Sequence, residues 1–221
     1  MSVLSICFHY AQVRANTSIS GADLSDQGQQ PWVRAWHNPV APSITDERQY
    51  NSSAPSYLHA AEGLTWANHI QQAFTVSNVS AFLGWVGTTG SFASNDALIE
   101  VVGDAYLVSP RLWAFAQFSR FVKPGGHRIG ASATNSTLGV SAFVNADKST
   151  AVQVINNSDQ DKQVTVAGVF AAKGVNSIQT WLTNNVNNMT MISASSANGD
   201  VGFKAKVPAR SIVSFVVPAH N

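Results

Sequence analysis

The 221-residue chain turns on one segment, Pro110-Arg-Leu-Trp-Ala-Phe-Ala-Gln-Phe-Ser-Arg-Phe-Val-Lys-Pro-Gly125. Its proline occupies the first helical position, where a missing N–H costs nothing. Leu112, Trp113, Phe115, Ala116 and Phe118 give it a broad apolar surface, and Pro124-Gly125-Gly126 stops it. The spacing predicts a helix over residues 110–122 and a division of the chain near Gly125.

Upstream of that helix the pattern alternates between strand and helix. Residues 2–10 and 31–36 are short, apolar and β-rich, and long polar loops follow each of them. Residues 62–76 form an amphipathic helix, with Trp66, Ile70, Ala73 and Phe74 on one face and Glu62 in the first turn, complementing the helix dipole. Residues 79–86 run apolar without interruption, as in a parallel strand covered on both faces.

Downstream the period becomes two. Val140, Ala142 and Val144 alternate with Ser141 and Phe143, and Val152 and Val154 flank Gln153. Val164 and Val166 follow; Val201, Phe203, Ala205 and Val207 are set against Lys204 and Lys206. Short strands at regular spacing predict an antiparallel sandwich over residues 126–221. The fold class is therefore α/β plus all-β.

These segments resemble glycoside hydrolase family 30, and fungal members most closely. The segment 111–125 is similar to that family's last barrel helix. Glu62-Gly-Leu-Thr-Trp-Ala-Asn-His-Ile70 and Asn78-Val-Ser-Ala-Phe-Leu-Gly-Trp85 resemble its penultimate helix and eighth strand. Val140-Ser-Ala-Phe-Val-Asn145 and Pro208-Ala-Arg-Ser-Ile-Val-Ser-Phe215 look like strands of its side sandwich. The resemblance implies the C-terminal part of a (β/α)8 barrel over residues 1–125, with strands six to eight at 2–10, 31–36 and 79–86. A β-sandwich follows.

The resemblance also implies retaining hydrolysis of glycosidic bonds, for which two carboxylates about 5–5.5 Å apart act as acid/base and nucleophile. The acid/base glutamate would follow the fourth strand, and a whole barrel takes about 250 residues against roughly 125 before the sandwich here. The nucleophile would end the seventh strand in a Trp-x-x-Glu-Trp pattern. This chain has Trp32-Val33-Arg34-Ala35-Trp36, so Ala35 occupies the nucleophile position, and a methyl group forms no glycosyl ester. No catalytic residue is assigned.

The chain has three glutamates. Glu47 reads as a solvated loop residue, Glu62 as a helix-start residue, and Glu100, among Leu98, Ile99, Val101 and Val102, as paired with a nearby cation. Sugar contact is assigned instead to Trp85, Trp36, His9 and Tyr10 at the implied strand ends, where aromatic faces stack on pyranose rings; burial as core residues is the plainer role for the two tryptophans. The reading is thus a family 30-like fragment related to hydrolases of cell-wall polysaccharide or glycolipid, inactive alone. The alternative is a non-catalytic carbohydrate-binding protein.

Composition narrows the partners. Charged residues make up 11% of the chain and the net charge is +1. The basic residues are scattered, which excludes a polyanion-binding surface and with it nucleic acid. No apolar run is long enough to span a bilayer. Cys7 is the one cysteine, so no internal disulfide forms, and no histidine spacing suits a metal. No cofactor is expected. Residues 1–4 lack the basic region of a signal peptide. Six Asn-x-Ser/Thr acceptors, at Asn16, Asn51, Asn78, Asn135, Asn156 and Asn188, nevertheless point to a secreted, glycosylated parent. The barrel remnant is expected to expose edges and associate, whereas 126–221 is expected to fold alone.

Overall fold

The computed structural model describes residues 60–84, 87–89, 97–167, 178–195 and 202–219. The expected sixth and seventh strands, at 2–10 and 31–36, lie outside them. Helix α1 spans Ala60–Thr75 and α2 spans Pro110–Ser119, with proline in the first turn. Between them lie β1 (Thr88–Thr89), β2 (Ile99–Val102) and β3 (Ala105–Val108). The sandwich strands are β4 (His127–Ile129), β5 (Leu138–Val144), β6 (Thr150–Asn156), β7 (Lys162–Val166), β8 (Ile178–Thr183), β9 (Thr190–Ser195), β10 (Phe203–Val207) and β11 (Ser211–Val217).

A six-stranded sheet ordered β4-β5-β6-β11-β8-β9 is antiparallel throughout. A two-stranded ribbon, β10-β7, lies against it. The period-two pattern has its cause here. Val152, Val154, Val213, Phe215 and Val217 point from the large sheet toward the ribbon, where Phe203 and Val207 meet them. Lys204 and Lys206, on the ribbon's other face, are exposed.

Strand β6 is buried along its whole length, because the other face of the sheet is covered as well. Ile155 and Ile212 share a core with Leu64, Ala67 and Ile70 of α1 and Ala114, Phe115 and Phe118 of α2. Phe143 meets Phe74 edge to face at 5.5 Å. Ala151 packs with Phe121 and Met189, flanked by Trp113 and Trp181. The arrangement is three-layered: helix pair, sheet, ribbon.

Polar contacts fix the helix layer in register. Asn68 and Asn157 exchange amide hydrogen bonds, Asn68 Nδ2 donating at 2.7 Å and Asn157 Nδ2 at 3.0 Å. Gln71 donates to the Val140 carbonyl at 3.2 Å. At the junction near Gly125, buried Asn145 donates to the Phe121 carbonyl at 2.8 Å and accepts from the Lys123 N–H at 2.7 Å.

Two local expectations need correction. Residues 79–84 form no strand: a parallel strand exists by pairing, and the segment expected beside it lies outside the described residues. Phe82 is buried there all the same, against Trp66 and Phe115. Helix α2 ends at Ser119 and passes into a turn in which the Phe121 and Val122 N–H groups both donate to Phe118. The 99–108 segment around Glu100 is a hairpin turned at Gly103, whose φ is +59°.

Candidate functional site

Ala35, Trp36, His9, Tyr10 and Trp85 all lie outside the described residues, as does Glu47. The backbone of Glu62 is in the first turn of α1, as expected.

Glu100 is described, and it departs from expectation. Its residue is 2% exposed, held in β2 between Thr89 of β1 and Leu107 of β3. Its Oε2 is buried without a hydrogen-bond partner, and no described cation pairs with it. The sequence could place Glu100 among apolar neighbours but could not show whether a cation would reach it. An unpaired carboxyl is costly to bury in its charged form.

The histidines are also informative. Among the described residues, no three His, Cys, Asp or Glu side chains gather as a metal site. His69 sits on α1 beside Trp66, ring centroids 6.0 Å apart. Its Nδ1 is buried and unpartnered, rather than satisfied as a helix histidine usually is, and burial pushes its imidazole below the ordinary value. Arg111 is buried with its guanidinium 5.9 Å from the Trp66 ring centre.

The structure brings together a set of residues that sequence reasoning missed. A cleft of about 200 Å³ lies where the starts of α1 and α2 meet two sandwich turns; its lining includes Gly63, Pro110, Trp113, Asn184, Asn188 and Arg210. Helix α2 supplies Trp113 in its first turns because its other face holds Phe115 and Phe118 in the core. The β8–β9 turn supplies the amides. Asn184 Oδ1 accepts from the N–H groups of Val186 and Asn187 and folds the turn back on itself. Arg210 donates to the Asn157 carbonyl at 2.9 Å. A cleft lined by an indole and side-chain amides suits a sugar ring, which presents an apolar face and a hydroxyl rim. The run Asn184-Asn185-Val186-Asn187-Asn188 was the available signal, but only the fold sets it against Trp113.

Known proteins with the same pattern can now be compared. The description "Glycosyl hydrolase family 30 beta sandwich domain" matches residues 125–215. The chain is 27% identical over 176 residues to glucuronoxylanase XynC of Bacillus subtilis, a match covering 79% of this chain and 39% of that protein. Over 78 residues it is 28% identical to mouse lysosomal acid glucosylceramidase, covering 35% of this chain and 15% of that one. Among solved structures, the catalytic domain of GH30 xylanase C from Talaromyces cellulolyticus superposes with a TM-score of 0.62 at 34% identity, over 77% of this chain and 37% of that one. The family 30 subfamily 8 xylanase of Clostridium acetobutylicum, at 20% identity and a TM-score of 0.63 over 73% of this chain and 40% of that one, shares the fold. The chain spans less than half the length of each of these relatives.

Proposed function

We propose that the chain is the C-terminal portion of a glycoside hydrolase family 30 protein and that this protein acts on xylan. The observation that carries this is the pair of extended likenesses to proteins named as xylanases, each covering more than three quarters of the chain. The glucosylceramidase likeness is shorter and supports a glycolipid substrate less well.

In this proposal residues 1–125 are the barrel part and 126–221 the sandwich. Trp85, Trp36, His9 and Tyr10 face the sugar, and Ala35 stands where the nucleophile would be. The 221 residues by themselves then hydrolyse nothing. Of the three glutamates, Ala35 leaves none at the seventh strand, and Glu100 is enclosed in a sheet. Covalent retention needs a carboxylate on each side of the scissile bond. Secretion of the parent protein belongs to the same proposal and is supported by the six acceptor sequences.

Electrophoresis of the 221-residue chain through gels with and without soluble glucuronoxylan tests the sugar-directed reading. Retardation by xylan, reduced in Trp85→Ala, is expected. Equal mobility in gels containing xylan, β-1,6-glucan or β-1,6-galactan would contradict it.

A further inference from the structure

Four of the six acceptor asparagines, Asn78, Asn135, Asn156 and Asn188, fall within the described residues, and the fold treats them very differently. Resting on the reading that the parent protein is secreted, we infer that Asn78 and Asn188 carry N-linked glycans, that Asn156 is a structural amide never modified in the folded protein, and that the Asn188 glycan covers the Trp113 cleft.

Asn156 is completely buried at the end of β6. Its Nδ2 donates to three carbonyls, those of Gln160 at 2.9 Å, Pro208 at 2.9 Å and Val207 at 3.2 Å. Its Oδ1 accepts from the N–H and hydroxyl of Ser158 at 3.0 and 2.8 Å. Each polar atom is used, and the amide ties the β6–β7 turn to the connection between β10 and β11. A sugar on Nδ2 would remove a donor and force a pyranose into a space with no solvent. The acceptor sequence Asn156-Asn-Ser158 is therefore present for its turn geometry.

Asn78 and Asn188 are exposed. Asn78 ends the turn after α1 with φ +51°, a conformation asparagine tolerates, and its Oδ1 accepts from Arg128 at 2.8 Å, which leaves Nδ2 toward water. Asn188 stands in the β8–β9 turn, with Thr190 opening β9, and lines the same cleft as Trp113. The first N-acetylglucosamine on Asn188 is therefore attached at the cleft that Trp113 also lines. Asn135 is half buried, with its Oδ1 taken by Thr137, and its occupancy does not bear on this pair.

The transfer balances simply. The donor is an oligosaccharide on a lipid pyrophosphate; its C1–O bond breaks, a C1–Nδ2 bond forms, Nδ2 loses one proton, and the lipid pyrophosphate departs. The enzyme acts on the chain as it emerges, before folding. Chains modified at Asn156 cannot close the β6–β11 corner, so they are absent from the soluble product rather than never made.

The test is secretion of the full chain from yeast behind an added leader, followed by enzymatic release of glycans in heavy-oxygen water and peptide mapping. Label at Asn78 and Asn188, with none at Asn156 in soluble protein, is the expected result. Ser80→Ala and Thr190→Ala, which keep both asparagines, each remove one glycan from the gel mobility. Label at Asn156 in soluble protein, or bare Asn78 and Asn188, would overturn the assignment. If the chain is retained in the cell, cell-free translation with microsomes gives the same count, and loss of no glycan in either variant overturns it. Glycans in yeast but none on the protein from its natural source would refute secretion and support the site assignment. For the cleft, acrylamide quenching of tryptophan fluorescence should rise in Thr190→Ala, and unchanged quenching would refute the covering.

Discussion

The Ser214 hydroxyl of β11 donates to Gln117 Oε1 of α2 at 2.6 Å. Both residues are wholly buried. Gln117 Nε2 in turn donates to Thr183 Oγ1 at 2.8 Å, so one side chain joins the last helix to two central strands. In an apolar interface such a link fixes position as well as adding stability, since each group left unpaired pays its desolvation. Gln117→Ala removes both side-chain bonds, leaving Thr183 Oγ1 only the Met189 N–H and Ser214 only the Gln117 carbonyl at 3.3 Å, and is expected to cost about 1–3 kcal/mol, read from the midpoint of urea unfolding. A loss below about 0.5 kcal/mol, the ordinary scatter of surface changes, would show that the network contributes nothing.

Asn145 holds the junction on which the two halves of the chain meet. Besides its bonds to Phe121 and Lys123, its Nδ2 donates to Ser149 Oγ at 2.9 Å. Asn145→Ala should cost about 2–3 kcal/mol. The effect should appear as faster amide exchange across residues 121–126, measured by hydrogen exchange and mass spectrometry.

Residues 126–221 expressed alone are expected to self-associate, in contrast to the reading from strand pattern. Removing α1 and α2 uncovers Phe143, Ala151, Ile155 and Ile212, all at most fractionally exposed in the intact structure. Their contiguous apolar surface has no polar cover of its own. Size-exclusion chromatography checks this, and a monomer that unfolds cooperatively would contradict it.

Asp147 and His69 both contribute to acid sensitivity. Lys123, then the Ser149 hydroxyl and N–H, hold the Asp147 carboxyl down at about 2, from an ordinary 3.8. A depressed carboxyl contributes stability that is complete above 3.8 and lost as pH falls toward 2. Asp147 is well exposed, so salt reduces its share. His69 acts earlier. Its imidazole is depressed by burial, so the unfolded chain takes up the proton first and stability declines below pH 6.5. The melting temperature of His69→Gln should fall less between neutrality and mild acid than that of the parent chain, whereas Asp147→Asn should differ only under stronger acid.

Much of this architecture was legible because it repeats a simple period. Val152, Val154 and the Phe203–Val207 alternation announce a two-faced sheet directly. What alternation hides is that β6 and β11 are buried on both faces: Gln153 and Ser214 look like solvent-facing residues and are instead the polar contacts of a helix layer. Strand β9 escaped notice because an extra residue, Ile192, lies opposite the step from Thr180 to Trp181 of β8 and breaks its alternation. The cleft could not be read at all, since Trp113 and Asn188 are brought together by packing and not by spacing. Glu100 shows the same limit: a sequence gives its apolar neighbours but not that no described cation reaches it.

The central proposal is that these 221 residues, of which 125–215 match a family 30 sandwich, hold no working carboxylate pair. Release of reducing ends from glucuronoxylan by the purified chain tests it most directly. No release above the buffer control is predicted. Release that disappears when Glu47, Glu62 or Glu100 is changed to glutamine would contradict it, because one of the chain's own carboxylates would then be catalytic.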